Sequence, residues 1–229
     1  MAITYHTDLI QGSEDWHNAR RGLLTASEMK LILTPTLKMA ANDKSRAHLW
    51  ELAAQRISGY VEPSYIGDEM LRGWEDEIRA RDLYAKRYAP VEEVGFVTND
   101  QWGFMLGYSP DGLVGDDGLI EIKSRRQKFQ VQAIATGEVP DEYALQIQTG
   151  LLVTGREWVD FISYSGGLPM FVSRVFADAD MQEAIIIAAT EFEDKLEIAL
   201  TAYDHNVKAH GYAPTERVVE QEMHIGEEA

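Results

Sequence analysis

The chain has 229 residues, 45% of them hydrophobic, with no cysteine and 21 basic against 38 acidic side chains, a net charge of −17. This length buries a sizeable core as one domain without staples, and the absence of cysteine excludes a disulfide scaffold, thiolate-bound zinc, iron–sulfur chemistry and a cysteine nucleophile. No apolar run approaches the ~18 residues of a membrane span, and residues 1–6 lack the basic start and apolar stretch of a secretory signal, so a soluble cytoplasmic protein with no membrane partner is expected.

In chain order, Thr25-Ala26-Ser27-Glu28 opens an apolar-periodic stretch that Thr34-Pro35 closes, with Thr25 or Ser27 as the cap. Trp16 is expected in the core with His17 packed beside it. Residues 43–58 read as a helix stopped by Gly59, with Leu49, Leu52, Ala53 and Ile57 on one face. A longer helix spans about 68–88, supported by Glu75 with Arg79 and Glu77 with Arg81 at four-residue spacing. Gly73 inside it weakens the helix, so close packing or a ligand must require it. The period then changes to that of strands: an edge strand at 92–97, a second at 103–109, a turn at Ser109-Pro110-Asp111-Gly112, and a third strand at 119–123. Helices at 127–136 and 141–154 follow, then a strand pair at 157–164 and 170–176 joined by Gly166-Gly167-Leu168-Pro169. A long acidic helix at 178–210 precedes a polar tail. This order predicts a mixed α/β fold, a central mixed β-sheet flanked by α-helices, in a single domain with a core at about 12–176 and an acidic C-terminal helix and tail at about 178–229.

The strongest chemical signal lies around the turn. Residues two apart on a strand share a face, so Glu121 and Lys123 point the same way. If Asp111 ends the preceding strand, the return through 112–118 brings its carboxylate beside Glu121. Two carboxylates and a backbone carbonyl make an all-oxygen site suited to Mg²⁺, and a lysine beside them can orient or deprotonate the attacking water. Each element also has a plain structural use: Pro-Asp-Gly is a common turn, and Glu-x-Lys a common solvent face. Glu77 alone reads as a solvated helix acid, Gln146 and Gln148 as surface glutamines, Ser27 as a cap. The histidines show no zinc-protease spacing.

Order and spacing separate these readings. Asp15-Trp16-His17-Asn18-Ala19-Arg20-Arg21-Gly22 followed by Leu24-Thr25-Ala26-Ser27-Glu28 resembles the N-terminal signature of the lambda exonuclease family. Gly73 with Glu77 and Arg81 at successive steps of four is similar to a second family motif. Ser109-Pro110-Asp111-Gly112 with Glu121-Ile122-Lys123 resembles the family's PD-(D/E)xK core, and Tyr143-Ala144-Leu145-Gln146-Ile147-Gln148 its glutamine helix. The resemblance spans about residues 12–165 in the right order and implies a phage or prophage alkaline exonuclease with a restriction-endonuclease-like core.

The resemblance further implies Mg²⁺-dependent digestion of the 5′-ended strand of duplex DNA, with Mn²⁺ as a substitute, by a toroidal homotrimer in the cytoplasm of a bacterial host. Such digestion leaves 3′ overhangs for a single-strand annealing protein partner in recombination. Residue by residue, it implies that Asp111, Glu121 and the Ile122 carbonyl bind metal, that Lys123 positions the water, and that Glu77 completes the acidic cluster. Arg20, Ser27, Ser109 and Gln146 match a 5′-phosphate pocket, and Met70 an apolar wedge at the DNA end. A basic residue that the family carries after the Ser27 helix has Lys38 as its nearest candidate.

The acidity does not exclude DNA, because residues 1–130 hold 16 Lys/Arg against 20 Asp/Glu while residues 131–229 hold 5 against 18. The excess is C-terminal, on an exterior that keeps DNA inside a channel or merely keeps the protein soluble. Two competing readings are an endonuclease on the same core, which would cut closed circular DNA, and a non-catalytic acidic DNA mimic or scaffold, which would have no use for Lys123.

Overall fold

The switch from helical to strand periodicity is realised in the computed structural model, which describes residues 2–63 and 67–217. In chain order the elements are β1 (Ile3–His6), α1 (Glu14–Arg20), β2 (Leu24–Thr25), a 3₁₀ turn (Ala26–Glu28), α2 (Met29–Ile32), α3 (Asp43–Ser58), α4 (Asp68–Arg87), β3 (Phe96–Asn99), β4 (Leu106–Tyr108), β5 (Gly112–Val114), β6 (Gly118–Ser124), α5 (Gln127–Thr136), a second 3₁₀ turn (Asp141–Tyr143), α6 (Ala144–Thr154), β7 (Trp158–Tyr164), β8 (Phe171–Phe176) and α7 (Ala179–His210). The mixed α/β architecture is as expected. Its strands divide into two four-stranded sheets, ordered β1-β3-β4-β2 and β5-β6-β7-β8.

Both sheets are mixed. β4 pairs parallel with β2 and antiparallel with β3, while β6 pairs parallel with β7 and antiparallel with β5. The parallel β6–β7 pair needs a crossover, which α5 and α6 supply. The strand placed at the edge over 92–97 instead starts at Phe96 and lies inside its sheet, between β1 and β4. Its partner β1 is only four residues long, two of them the polar Thr4 and His6, which hid it. β5 was concealed in the return after Asp111, because three residues are too few to show a period.

Local signals fix the helices. Ser13 caps α1, accepting from the Trp16 N–H at 3.2 Å, with Glu14 and Asp15 in the first turn. Thr25 and Glu28 form a reciprocal capping box at the first 3₁₀ turn. Gly59 ends α3 in the left-handed region at φ 64°. The two four-residue ion pairs of α4 both form, Arg79 to Glu75 at 3.2 Å and Arg81 to Glu77 at 2.6 Å.

The larger core joins β2–β4, α2, α3, α6 and α7. The acidic helix α7 enters it through Ile185, Ala188, Ala189, Phe192 and Leu196, spaced at three and four residues along one stripe. A smaller core packs Ala80 and Tyr84 of α4 on Val114, Ile120, Ile122 and Ile162. Behind it, Tyr84 Oη donates to buried Asp160 at 2.6 Å, and Arg174 reaches the same carboxylate through two 2.8 Å bonds. This network holds α4 to the β7–β8 pair. The polar tail beyond residue 217 lies outside the described residues. Among the described residues no helix is long and apolar enough to cross a membrane.

Candidate active site

The site forms where β5 ends short of its neighbour. Gly112 pairs with Ile120, so β6 runs past the end of β5 with one edge unpaired. Asp111 fills that edge: its Oδ2 accepts the Ile122 N–H at 2.5 Å. A strand residue's N–H and C=O point to the same side, so the Ile122 carbonyl faces the same open edge. Glu121 and Lys123 project from the other face of β6 to that of Ile120 and Ile122, which pack on α4.

Glu121 is the hub. It is 1% exposed, and its carboxylate receives three donors: Tyr108 Oη on Oε2 at 2.7 Å, with Gln146 Nε2 and Lys123 Nζ on Oε1 at 2.6 and 2.7 Å. A carboxylate offers about four acceptor sites, so one direction is left for a further ligand. Tyr108 is held from behind by α6. A Cβ on Gly150 would lie 2.7 Å from its ring, so only glycine lets the helix backbone approach the tyrosine.

The cluster is electrostatically strained. Burial pushes the Asp111 carboxyl well above the ordinary carboxylate range, and Glu121 and Glu77 add to the rise against Lys123 and the Ile122 N–H. Burial likewise raises Glu77, opposed by its partner Arg81. Burial alone would lower the Lys123 ammonium, but Glu121 and Asp111 outweigh it and hold the lysine charged. Burial and the Glu121 carboxylate together push the Tyr108 phenol up, so it stays a donor. Three acids thus face two cations, Lys123 and Arg81, and Arg81 also bonds Glu93.

This donor set fits a hard divalent cation. Among the described residues no three Asp, Glu, His or Cys side chains converge into a ready-made cage. Mg²⁺ does not need one, since it is usually held by one or two carboxylates plus waters and substrate phosphates. Asp111, Glu121 and the Ile122 carbonyl would hold it. Glu77, held by Arg81, borders that set and acts on it through charge.

A second, oppositely charged feature lies across β4. Arg20 donates to Ser109 Oγ at 2.9 Å and to Thr25 Oγ1 at 3.4 Å, and its guanidinium lies 4.3 Å from the centre of the Trp16 ring. Burial lowers its pKa, partly offset by the Glu28 charge. Among the described residues its bonded partners are neutral hydroxyls, so a desolvated cation stands without a bonded counter-ion, an arrangement that suits an anion. Ser27 joins indirectly, its Oγ 3.3 Å from Thr25 Oγ1.

Sequence expectation and geometry differ at Gln146, Trp16 and Gln148. Gln146 is bonded to Glu121 and sits with the carboxylates, while Arg20 and Ser109 form the cationic pocket. Trp16 is half-buried rather than core, and its Nε1 bonds Ser109 Oγ and the Gly95 carbonyl, both at 3.0 Å; His17 is exposed at its edge. Lys38 is exposed on the turn after α2. Met70 is 44% exposed on the first turn of α4. Gln148 is no surface residue: it is buried, joining the Phe176 carbonyl and the Asp178 N–H. The sequence reading missed Tyr108 and Thr25, though Tyr108 directly precedes Ser109 on a strand and alternation places it opposite.

Comparison with known proteins gives the family. Residues 15–157 match the YqaJ-like viral recombinase domain. The chain belongs to this family. As a YqaJ-like protein it superposes on an alkaline exonuclease, LHK-Exo, from Laribacter hongkongensis with a TM-score of 0.77 at 33% identity, covering 86% of this chain and 100% of that one. The match to LHK-Exo in complex with dAMP gives 0.78 at the same identity and coverage. A phage related exonuclease from Haemophilus somnus 129PT shares the fold at a TM-score of 0.55 and 14% identity, over 80% of this chain and 99% of that one. No curated protein matches. The YqaJ-like chain is therefore a nuclease with a restriction-endonuclease-like α/β fold.

Proposed function

We propose that this nuclease is a metal-dependent exonuclease that digests the 5′-ended strand of linear duplex DNA, 5′ to 3′, leaving 3′ overhangs for annealing recombination. The observation that carries it is the pair of oppositely charged features on the two sides of β4: the Asp111–Glu121 cluster for a cation, and the Arg20–Ser109 pocket for an anion. A cation site suits any metal-dependent nuclease, whereas an adjacent anion pocket suits one that reads a phosphorylated end. The dAMP in the LHK-Exo complex, a deoxynucleoside monophosphate, fits the same reading.

A divalent cation, Mg²⁺ with Mn²⁺ as substitute, would supply charge screening at the phosphate and a more acidic water. Glu121 is fixed for that task by Tyr108, Gln146 and Lys123. Lys123, bonded to Glu121 at 2.7 Å, would stand beside the attacking water and orient it. Arg20 would hold the 5′-phosphate by charge-assisted bonds, with Ser109, Thr25 and Ser27 around it. Met70 would serve as the wedge at the DNA end. The resemblance adds a single nuclease domain, a toroidal homotrimer, an annealing protein as partner and a bacterial cytoplasm as setting.

The test is digestion of end-labelled linear duplexes bearing 5′-phosphate or 5′-hydroxyl, beside closed circular DNA, with and without Mg²⁺. Loss of 5′ label first, faster on phosphorylated ends and only with metal, is expected. Cutting of circles would establish the endonuclease reading instead.

A further inference from the structure

Gly73 is the glycine of the second family motif, and nothing in the fold accounts for it. It sits inside a 20-residue helix with an ordinary helical φ, and among the described residues a Cβ built on it meets no atom within 4 Å. Neither close packing nor backbone conformation therefore requires glycine there, and glycine weakens a helix interior relative to alanine. Its position along α4 is informative. Three and four residues on stand Asp76, whose Oδ2 accepts Ser124 Oγ of β6 at 2.6 Å, and Glu77 beside the acidic cluster. Positions 73, 76 and 77 share a face. The helix is thus pinned to the catalytic strand at Asp76 and leaves open space one turn earlier.

That space is flanked by Met70 and Trp74, 44% and 47% exposed and themselves four residues apart. One turn of helix is about 5.4 Å, so the open face lies about one turn along α4 from Glu77, whose charge acts on Asp111. We infer that Gly73 and Trp74 form a nucleotide subsite beside the scissile bond: the bare backbone at Gly73 lets the sugar–phosphate chain pass against α4, and the Trp74 indole stacks on an unpaired base. The subsite rests on the reading of the chain as a DNA nuclease. An aromatic platform beside a close-approach backbone is how single strands are held without sequence preference.

The test uses the full chain with Gly73→Ala, Trp74→Ala and Trp74→Phe. Gly73→Ala is expected to raise the thermal midpoint by about 2–4 °C while slowing digestion of a linear duplex at least about tenfold, a split that a structural glycine cannot produce. Trp74→Ala should weaken binding of a frayed-end duplex in Ca²⁺ about fivefold or more, with Trp74→Phe restoring most of it. If Gly73→Ala digests at the wild-type rate, or lowers the midpoint, the subsite is refuted while the nuclease reading stands. A changed oligomeric mass in either variant would show that a second copy of the chain covers this face, and overturns the inference. A wild-type chain that digests no DNA at all removes both readings together.

Discussion

Replacing Asp111 with asparagine should stabilise the metal-free protein at pH 8 while abolishing nuclease activity. Asparagine keeps an acceptor for the Ile122 N–H and removes the charge that burial, Glu121 and Glu77 all oppose. What it loses is the attraction of Lys123, which keeps Glu121 at 2.7 Å. Relief of a strained site of this kind is worth about 1–2 kcal/mol, or roughly 2–8 °C in a chain of this size. The sign follows from linkage. Asp111 has a raised pKa in the folded state, so its contribution to stability is fully present below the ordinary carboxylate value and is lost as pH rises through the folded one. The advantage of Asp111→Asn should therefore be absent near pH 3.5 and grow towards pH 8. Saturating Mn²⁺ should reverse the order, because a ligand at about 100 times its Kd adds about 2.7 kcal/mol to the protein that binds it. Thermal unfolding by circular dichroism, in chelator and in metal at both pH values, reads all of this. A variant less stable than wild type in chelator at pH 8, or one that gains as much from Mn²⁺, would refute the two-carboxylate account.

Three further substitutions separate the roles. Lys123→Ala should abolish cleavage yet leave Kd for a duplex end within about threefold, measured by fluorescence anisotropy in Ca²⁺, since the lysine acts on the water through its place beside Glu121. Arg20→Ala should shrink the rate preference for 5′-phosphate over 5′-hydroxyl ends at least about tenfold, the worth of a charge-assisted bond; an unchanged preference removes the pocket. Tyr108→Phe deletes one of three donors on Glu121, which should lower turnover about tenfold or more with little loss of fold, because the ring still packs on Gly150.

The long elements were legible because each carries a repeated local signal. The helix at 43–58 matches α3 residue for residue, and 127–136 matches α5. Short strands carry no period: β2 has two residues, and β4 and β5 three each, and pairing across the chain decides them. The same division holds in the site. Asp111, Glu121 and Lys123 could be grouped from one turn and one strand, since their contacts span 12 residues or fewer. Gln146 could not be assigned to Glu121, because a crossover of helices intervenes. Trp16 and Arg20 meet Ser109 across about 90 residues of chain, and no local pattern encodes which distant partner a tryptophan will meet.

The end of β4 joins the two charged features, and under the proposed function this would set the length of the product. Tyr108 turns its hydroxyl to Glu121 on one side, and Ser109, the next residue, turns its own to Arg20 on the other. Their Cα atoms are held about 3.8 Å apart by one peptide unit, and Asp111 follows after the rigid φ of Pro110. An anion pocket and a metal-binding cluster joined this closely cannot drift relative to each other, so a 5′-phosphate seated at Arg20 presents one particular bond to Asp111 and Glu121. Digestion of a 5′-phosphorylated duplex should therefore release a single product length, the mononucleotide, from the first turnover onward. Resolving the 5′-labelled products of a short time course on a sequencing gel measures it directly. A ladder of di-, tri- and longer oligonucleotides at early times would mean that the end is not held while the bond is cut, and that the Arg20–Ser109 pocket has another purpose.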